Sequence, residues 1–435
     1  MNLICRRIVY LIFVSAFFIV TPLILMYTQG YRYNFAKSRV QKTGILIISS
    51  LPKKAEIYLN GKLLKNQSTP ARIEKLLPAD YEIKLTKDGY HPWQKKLPVN
   101  ENATTFAEDV ILWKQTIPLQ LATENISDWL IAPEREKIAL LTTDNQLKIL
   151  DTIDGRLTIP ENQPPLTAPE LIGWSNTGKK LLLKDSVQQQ SNYYLLNLST
   201  NSDNLSKINS RNYFSVKWNQ QNDNLVYGLD KTGLWEINLF NQQEKLIFTD
   251  SLDDFLVTGG EIFILTGSNL SRLDTPDKID VQLDSTGYQL ITKENGKIIA
   301  INKARQQLAI LDLATPAKNL QLSATGFDWL NNRTLLIFND WEIWIYNFQD
   351  QEPKLITRLG KKIAAAVWHK SGQHLIFAAE NELRVIELDN RESRNIITLA
   401  EVPEILKLSL DPAGKNIYFT GHYSDQMELL KLNIR

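Results

Sequence analysis

Trp174 to Leu183 reads "WSNTGKKLLL": an indole, a polar stretch around a glycine with the composition of a tight turn, then a run of leucines. Related segments recur as "WNQQNDNLVY" from Trp218, "WLNNRTLLIF" from Trp329, "WHKSGQHLIF" from Trp368 and "LDPAGKNIYF" from Leu410. Trp129 opens a similar unit, "WLIAPEREKIALL", and two weaker copies follow at Val257 ("VTGGEIFIL") and Ile291 ("ITKENGKIIAI"). Each is followed by an alternating strand of the "LKILD", "LWEINL", "LAILDL", "LRVIEL" or "LLKLNI" kind. A repeat of about 40 residues built from short strands and turns is the signature of stacked β-sheets. A single sheet of this size cannot bury both faces, so neighbouring copies must cover each other. Period-two alternation excludes a helical solenoid.

The expected architecture from residue 115 to 435 is therefore an all-β propeller of eight blades. Seven is the alternative, because the units at 257 and 291 are degenerate. The "W-S-x-x-G-K-x-L" turns resemble TolB-type, WD40-like propeller repeats, a resemblance that spans this whole segment. Its final strand, "MELLKLNIR", matches the third strand of the other units, and "QTIPLQLA" (Gln115 to Ala122) precedes the first unit. Residues 115–122 are expected to supply the missing outer strand of the last blade, so that no open edge remains.

Towards the amino terminus, Ile8 to Thr28 contains no charge and is long enough for a bilayer core of about 30 Å. It is expected to be an uncleaved transmembrane anchor, since no small-residue cleavage site follows. Residues 1–7 are then a short cytoplasmic terminus and 29–42 a stalk. Arg6 and Arg7 precede the span, while Arg32, Lys37, Arg39 and Lys42 follow it, so charge alone does not fix the orientation.

Between stalk and propeller, residues 43–113 read as a small antiparallel β-sandwich. Asn60-Gly61 in "AEIYLNGKL" is the favoured two-residue hairpin turn. In "DYEIKL", Tyr81, Ile83 and Leu85 share one face, and a second turn at Asp88-Gly89 leads to Trp93, read as a core aromatic. The series Ser50, Pro52, Ala55, Ile57, Tyr58, Asn60, Gly61, Thr69, Pro70, Leu76, Pro78, Tyr81, Lys87, Gly89, Tyr90 and Trp93 resembles the PEGA domain. Lys54, Lys65 and Ala79 stand where that pattern usually has glycine. The resemblance implies a prokaryotic surface or envelope protein without known catalysis and so an extracytoplasmic address. Together with the apolar span and the leading Arg6 and Arg7, the expectation is a single-pass cell-membrane protein with its amino terminus inside and its bulk extracytoplasmic.

Composition narrows the function classes. A net charge of +1 on 435 residues gives no long-range attraction to nucleic acid. The single cysteine, Cys5, removes disulfide frameworks and cysteine-based zinc sites. His91, His369, His374 and His422 lack metal-helix spacing, so no metal and no cofactor are expected. His369 and His374 bracket the turn "HKSGQH" and read as solvated loop residues; Asp250, Asp253 and Asp254 in "DSLDDF" read as a solvated loop between blades. No G-x-S-x-G, P-loop or G-x-G-x-x-G is present.

Trp129, Trp174, Trp218, Trp329 and Trp368 occupy equivalent repeat positions and read as packing between blades. Trp235 and Trp344 instead occupy strand positions held by Lys148 and Arg384 in other units, and Trp341 lies at a neighbouring turn. These three are the contact candidates, because exposed tryptophan is enriched at recognition sites. The expected function is non-catalytic binding of an envelope protein or a cell-wall glycan by the propeller, with the small domain as spacer or surface-association module. The alternative is a hydrolase or lyase acting in the central funnel.

Overall fold

A computed structural model describes residues 3–35, 37–121, 124–161, 163–188, 190–199, 205–208, 210–273, 280–423 and 426–435. The chain divides into two compact units: Met1–Thr116 with Asp389–Ile397 and Ile434–Arg435, and Ile117–Leu388 with Thr398–Asn433.

The first unit begins with the helix Leu3–Thr28, which contains Pro22. Its segment Cys5–Thr28 is 24 residues long and apolar enough to cross a membrane, with a length of about 36 Å at 1.5 Å per residue. Within the segment read as a stalk, Tyr31–Asn34 and Arg39–Lys42 form a separate two-stranded antiparallel hairpin.

Two sheets follow. One has the order Ala71–Leu76, Gly44–Leu51, Thr104–Ile111; the other runs Lys62–Ser68, Glu56–Leu59, Ala79–Thr86, Trp93–Val99. Gly44–Leu51 alternates strictly, and its inward residues Leu46 and Ile48 are fully buried with Ile57, Ile83, Leu85 and Leu97, beside the buried Trp93. Burial of each such aliphatic side chain contributes about 1.5–3 kcal/mol. Asn60 and Gly61 both take positive φ (49° and 76°), as the two-residue turn requires. The expectation of a wholly antiparallel sandwich is corrected in one place: Gly44–Leu51 and Thr104–Ile111 run parallel, with Ile45 opposite Thr104 and Ile47 opposite Phe106. These strands open and close the segment with the second sheet between them, so no tight hairpin joins them and no antiparallel return is imposed.

The second unit contains, among its described residues, eight four-stranded antiparallel sheets. Their first strands are Ile126–Ile131, Pro169–Trp174, Ser215–Trp218, Asp254–Thr258, Gln289–Glu294, Gly326–Asn331, Ile363–Trp368 and Lys407–Leu410, numbered here as sheets one to eight. All eight repeat-opening residues, from Trp129 to Leu410, therefore lie on first strands. Seven sheets use four consecutive strands; the eighth is completed by Leu119–Gln120, which pairs with Gln426–Asn433 in the register Leu119–Lys431 and Gln120–Leu430. Leu121 N–H continues the ladder to the Leu429 carbonyl at 3.0 Å. The strand is shorter than the 115–122 expected from sequence, and Ala122 lies outside the described residues.

The core is distributed between sheets. Sheets one and two share Leu141, Leu147, Leu171 and Leu181; two and three share Tyr193, Val216 and Val226; three and four share Leu234, Phe255 and Val257. The sequence continues through four and five, five and six, and six and seven. Sheets eight and one share Tyr418 and Leu429 with Ile126, Trp129, Ile138 and Leu140. Polar hooks run the same way. Trp174 Nε1 donates to the Leu130 carbonyl and Trp218 Nε1 to the Gly173 carbonyl, each at 2.9 Å and each to the preceding sheet. Trp129, Trp174 and Trp368 are buried; Trp218 and Trp329 are half-buried.

Candidate functional site

Trp235 follows the fully buried Leu234 on the strand Gly233–Asn238 of sheet three, and Trp344 follows the fully buried Ile343 on Glu342–Asn347 of sheet six. Strand alternation then turns both indoles to the opposite face. Trp235 Nε1 donates to Asp230 Oδ1 and Thr232 Oγ1, both at 3.2 Å, and the Arg211 guanidinium lies 3.8 Å above its ring. Trp344 Nε1 donates to Glu342 Oε2 at 3.0 Å. The equivalent Lys148 meets Glu124 at 2.5 Å, and Arg384 pairs with Glu382. A strand-borne N–H donor facing a carboxylate thus recurs at this position, and the two indoles do neutrally what lysine and arginine do elsewhere.

Trp341 differs. It stands 50% exposed in the turn before Glu342–Asn347, where its backbone N–H is held by Asn339 Oδ1 at 2.9 Å and its ring is offered to solvent. Trp341 and Trp344 share sheet six, while Trp235 stands in sheet three with two sheets between, so the three form two separate locations. Beside Trp235, a cleft of about 510 Å³ is lined by Ser191, Arg211, Asn212, the exposed Phe214, Asp230, Lys231 and Thr232. Burial would raise the Asp230 carboxyl, but hydrogen bonds from Thr232, Trp235 and Gly233 hold it below the ordinary carboxylate range.

A second cleft, of about 250 Å³, has no counterpart in the sequence reading. Arg135 of sheet one, Trp329 and Leu330 of sheet six, Trp368, His369 and Lys370 of sheet seven, and Leu410, Asp411 and Pro412 of sheet eight line it. Arg135 sits in the turn after the first strand with φ +61°, and its Nη2 lies 3.9 Å from Asp328 Oδ1. Asp328 Oδ2 accepts the Trp368 backbone N–H at 2.8 Å; burial nevertheless raises this carboxyl above its ordinary value. No single motif announces this group, because its members come from the first strands and following turns of four different repeats.

Two sequence expectations are corrected here. His369 and His374 are buried, at 1% and 7% exposure, rather than solvated. His369 Nε2 lies 3.1 Å from the Gly414 carbonyl of the next sheet, Nδ1 lies 2.9 Å from Ser371 Oγ, and His374 Nδ1 lies 3.3 Å from the same hydroxyl. The hydroxyl between the rings lets both imidazoles enter the packing without a bare polar atom. Asp254 is likewise buried, while Asp250 and Asp253 are exposed. Lys217 Nζ reaches Asp254 Oδ1 at 2.6 Å, the Phe255 carbonyl at 2.9 Å and the Leu290 carbonyl at 3.1 Å; Asp254 Oδ2 accepts the Leu290 N–H at 2.6 Å. One ion pair therefore ties sheets three, four and five. Burial pulls the Lys217 ammonium below the usual lysine range while Asp254 pulls it back.

Chemically, both clefts can recognise polar groups. The 250 Å³ cleft combines two cations with a carboxylate, but His369 has both ring nitrogens engaged and Asp411 accepts from Lys415 N, Asn416 N and Asn416 Nδ2. Among the described residues, no three His, Cys, Asp or Glu side chains come together as a metal site would need.

Comparison with known proteins agrees with this geometry. Residues 43–110 match the family model of the PEGA domain. The repeated four-stranded sheets resemble WD40-type blades: the chain superposes on the C-terminal WD40 domain of Sif2 with a TM-score of 0.50 at 14% identity, over 73% of this chain and 98% of that one. A eukaryotic initiation factor gives a TM-score of 0.49 at 11% identity, over 73% of this chain and 93% of that one. At such identity the likeness is one of fold. No curated protein matches the chain.

Proposed function

We propose that the propeller expected over residues 115–435, whose compact unit is Ile117–Leu388 with Thr398–Asn433, is closed and eight-bladed and acts as a non-catalytic binding module. The observation that carries this reading is the cyclic arrangement of the core: each sheet shares buried side chains or hydrogen bonds with the next, and sheet eight packs on sheet one. Such a disc presents a broad surface and a central opening, and WD40-type scaffolds suit protein recognition. The helix Leu3–Thr28 is its single-pass anchor, with the amino terminus inside, and the PEGA-like domain is the spacer or surface-association module of an envelope protein. The partner is an envelope protein or a cell-wall glycan. Trp341 supplies the exposed ring, and the cleft beside Trp235 supplies the polar contacts.

The runner-up is a hydrolase or lyase working at the cleft around Arg135, favoured by the ionisable groups gathered there. Full-length protein in detergent, titrated with purified peptidoglycan and with cross-linked envelope extracts, separates the two. Saturable binding that Trp341→Ala or Trp235→Ala weakens at least about tenfold, the loss of about 1.4 kcal/mol, supports recognition. Turnover of an envelope substrate that Arg135→Ala abolishes would replace recognition with catalysis.

A further inference from the structure

Resting on the reading of Leu3–Thr28 as a membrane span, we infer that the hairpin immediately after it is an interfacial element that docks its aromatic face into the lipid headgroup layer and prefers anionic lipids. In the register Tyr31–Lys42, Arg32–Gln41, Tyr33–Val40, Asn34–Arg39, the two faces separate by polarity. Tyr31, Tyr33, Val40 and Lys42 share one face, continued by Phe35, which packs edge-on against Tyr33 at 5.0 Å. Arg32, Asn34, Arg39 and Gln41 share the other, where Asn34 Nδ2 donates to the Gln41 side chain at 2.7 Å.

The aromatic face is uncovered by protein: Phe35 is 85% exposed, with Tyr33 and Val40 close to half. A two-stranded hairpin is marginal in water by itself, so an uncovered aromatic face calls for a partner. Its position names that partner. Arg32 is bonded through Nη1 to the Tyr27 carbonyl at 2.8 Å and lies 3.6 Å over the Tyr27 ring, and Thr43 N–H returns to the Gly30 carbonyl at 3.0 Å. The Arg32 end of the hairpin is thus fastened to the last turn of the helix, and the other end to Gly30, two residues beyond that turn. A span that ends at Thr28 places the following residues within the several ångströms of headgroup region that flank the hydrocarbon, the depth at which aromatic rings collect. Charge supplies the lipid preference. Arg32, Lys37, Arg39 and Lys42 lie in this stretch, and no acidic residue precedes Glu56; each basic residue near an anionic surface contributes about 1 kcal/mol.

The test uses the full chain carrying Cys5→Ser and one nitroxide-labelled cysteine at position 17, 35, 40 or, on the opposite face and exposed, 39. It is reconstituted in phosphatidylcholine vesicles with or without phosphatidylglycerol, and collisions with oxygen and with a water-soluble nickel chelate are compared. The expected result is membrane-like accessibility at 17, several-fold lower nickel accessibility at 35 and 40 than at 39, and a further drop at 35 and 40 with phosphatidylglycerol that Lys37→Gln, Arg39→Gln and Lys42→Gln together remove. Tyr33→Ser with Phe35→Ser should return the label at 40 to water. Protection at 17 with 35 and 40 as accessible as 39 would overturn the hairpin inference and leave the anchor standing. Free nickel access at 17 would overturn both.

Discussion

Lys54 occupies the left-handed region, at φ +63°, where the PEGA pattern usually has glycine. Its backbone N–H is held by the Thr69 carbonyl at 2.7 Å, so the turn geometry survives although the residue is the wrong one for it. A side chain there costs about 1–2 kcal/mol, partly offset by the lower entropy of the unfolded chain. Lys54→Gly should therefore raise stability by about 0.5–1 kcal/mol, read as a shifted denaturation midpoint; an unchanged or lowered midpoint would refute the strain. A second residue carries a pH dependence. Burial raises the Tyr418 phenol to about 12, with Asp411 and Asp151 adding to the shift, and its hydroxyl donates to the Thr152 carbonyl at 3.2 Å. Because the folded value exceeds the unfolded value of about 10, this contribution is complete below pH 10 and is lost as pH rises towards 12. Tyr418→Phe should be about 1 kcal/mol less stable at neutral pH, and the difference should shrink and reverse across that window. Parallel curves for the two proteins would remove Tyr418 from the alkaline limb.

Elements were legible in the sequence where their chemistry is local. The Asn60-Gly61 hairpin and the turns after Trp174, Trp218 and Trp368 are written within a few residues, and the strands beside them follow from alternation. What was not legible depends on partners elsewhere in the chain. Nothing near Gly44–Leu51 announces that its neighbour is the parallel Thr104–Ile111. Asp254 reads as a loop acid because its ammonium arrives from another repeat, as does the carbonyl that buries His369. Of the contact candidates, Trp341 is as exposed as its turn suggests, while the indoles of Trp235 and Trp344 are engaged by neighbouring carboxylates that sequence spacing did not reveal. The cleft around Arg135 was invisible for the same reason. The element most open to a direct test is Leu119–Gln120. Leu121→Pro removes the backbone N–H that donates to the Leu429 carbonyl and should destabilise by about 1–3 kcal/mol. The same change at Gln242, in an exposed turn at φ +55°, is a poor control; Pro at Lys231, in the exposed turn before Gly233, is better. A Leu121→Pro protein with an unchanged thermal midpoint would show that the pairing contributes nothing.

At the level of the molecule, buried side chains and ion pairs shared between neighbouring sheets tie the second unit together. The ion pair of Lys217 and Asp254 is the sharpest case. Lys217→Met leaves a buried carboxylate without its cation and should cost about 3–5 kcal/mol. Adding Asp254→Asn, which removes the charge but retains an acceptor for Leu290 N–H, should recover most of that loss. Equal stability of the single and double variants by urea titration would mean that the charge pair is solvated in solution.

The strand pairing of Leu119–Gln120 with Gln426–Asn433 has a further consequence in time. A polypeptide emerges from the ribosome in one direction, so the piece that finishes sheet eight is made before seven complete sheets and must wait for the last of them. During that interval the nascent chain holds sheet one without the neighbour that shares Trp129 and Leu140. Any interruption before residue 416 leaves it so permanently. Completeness of synthesis is thereby coupled to folding, and a shortened product presents uncovered apolar surface to whatever quality-control machinery surveys the compartment.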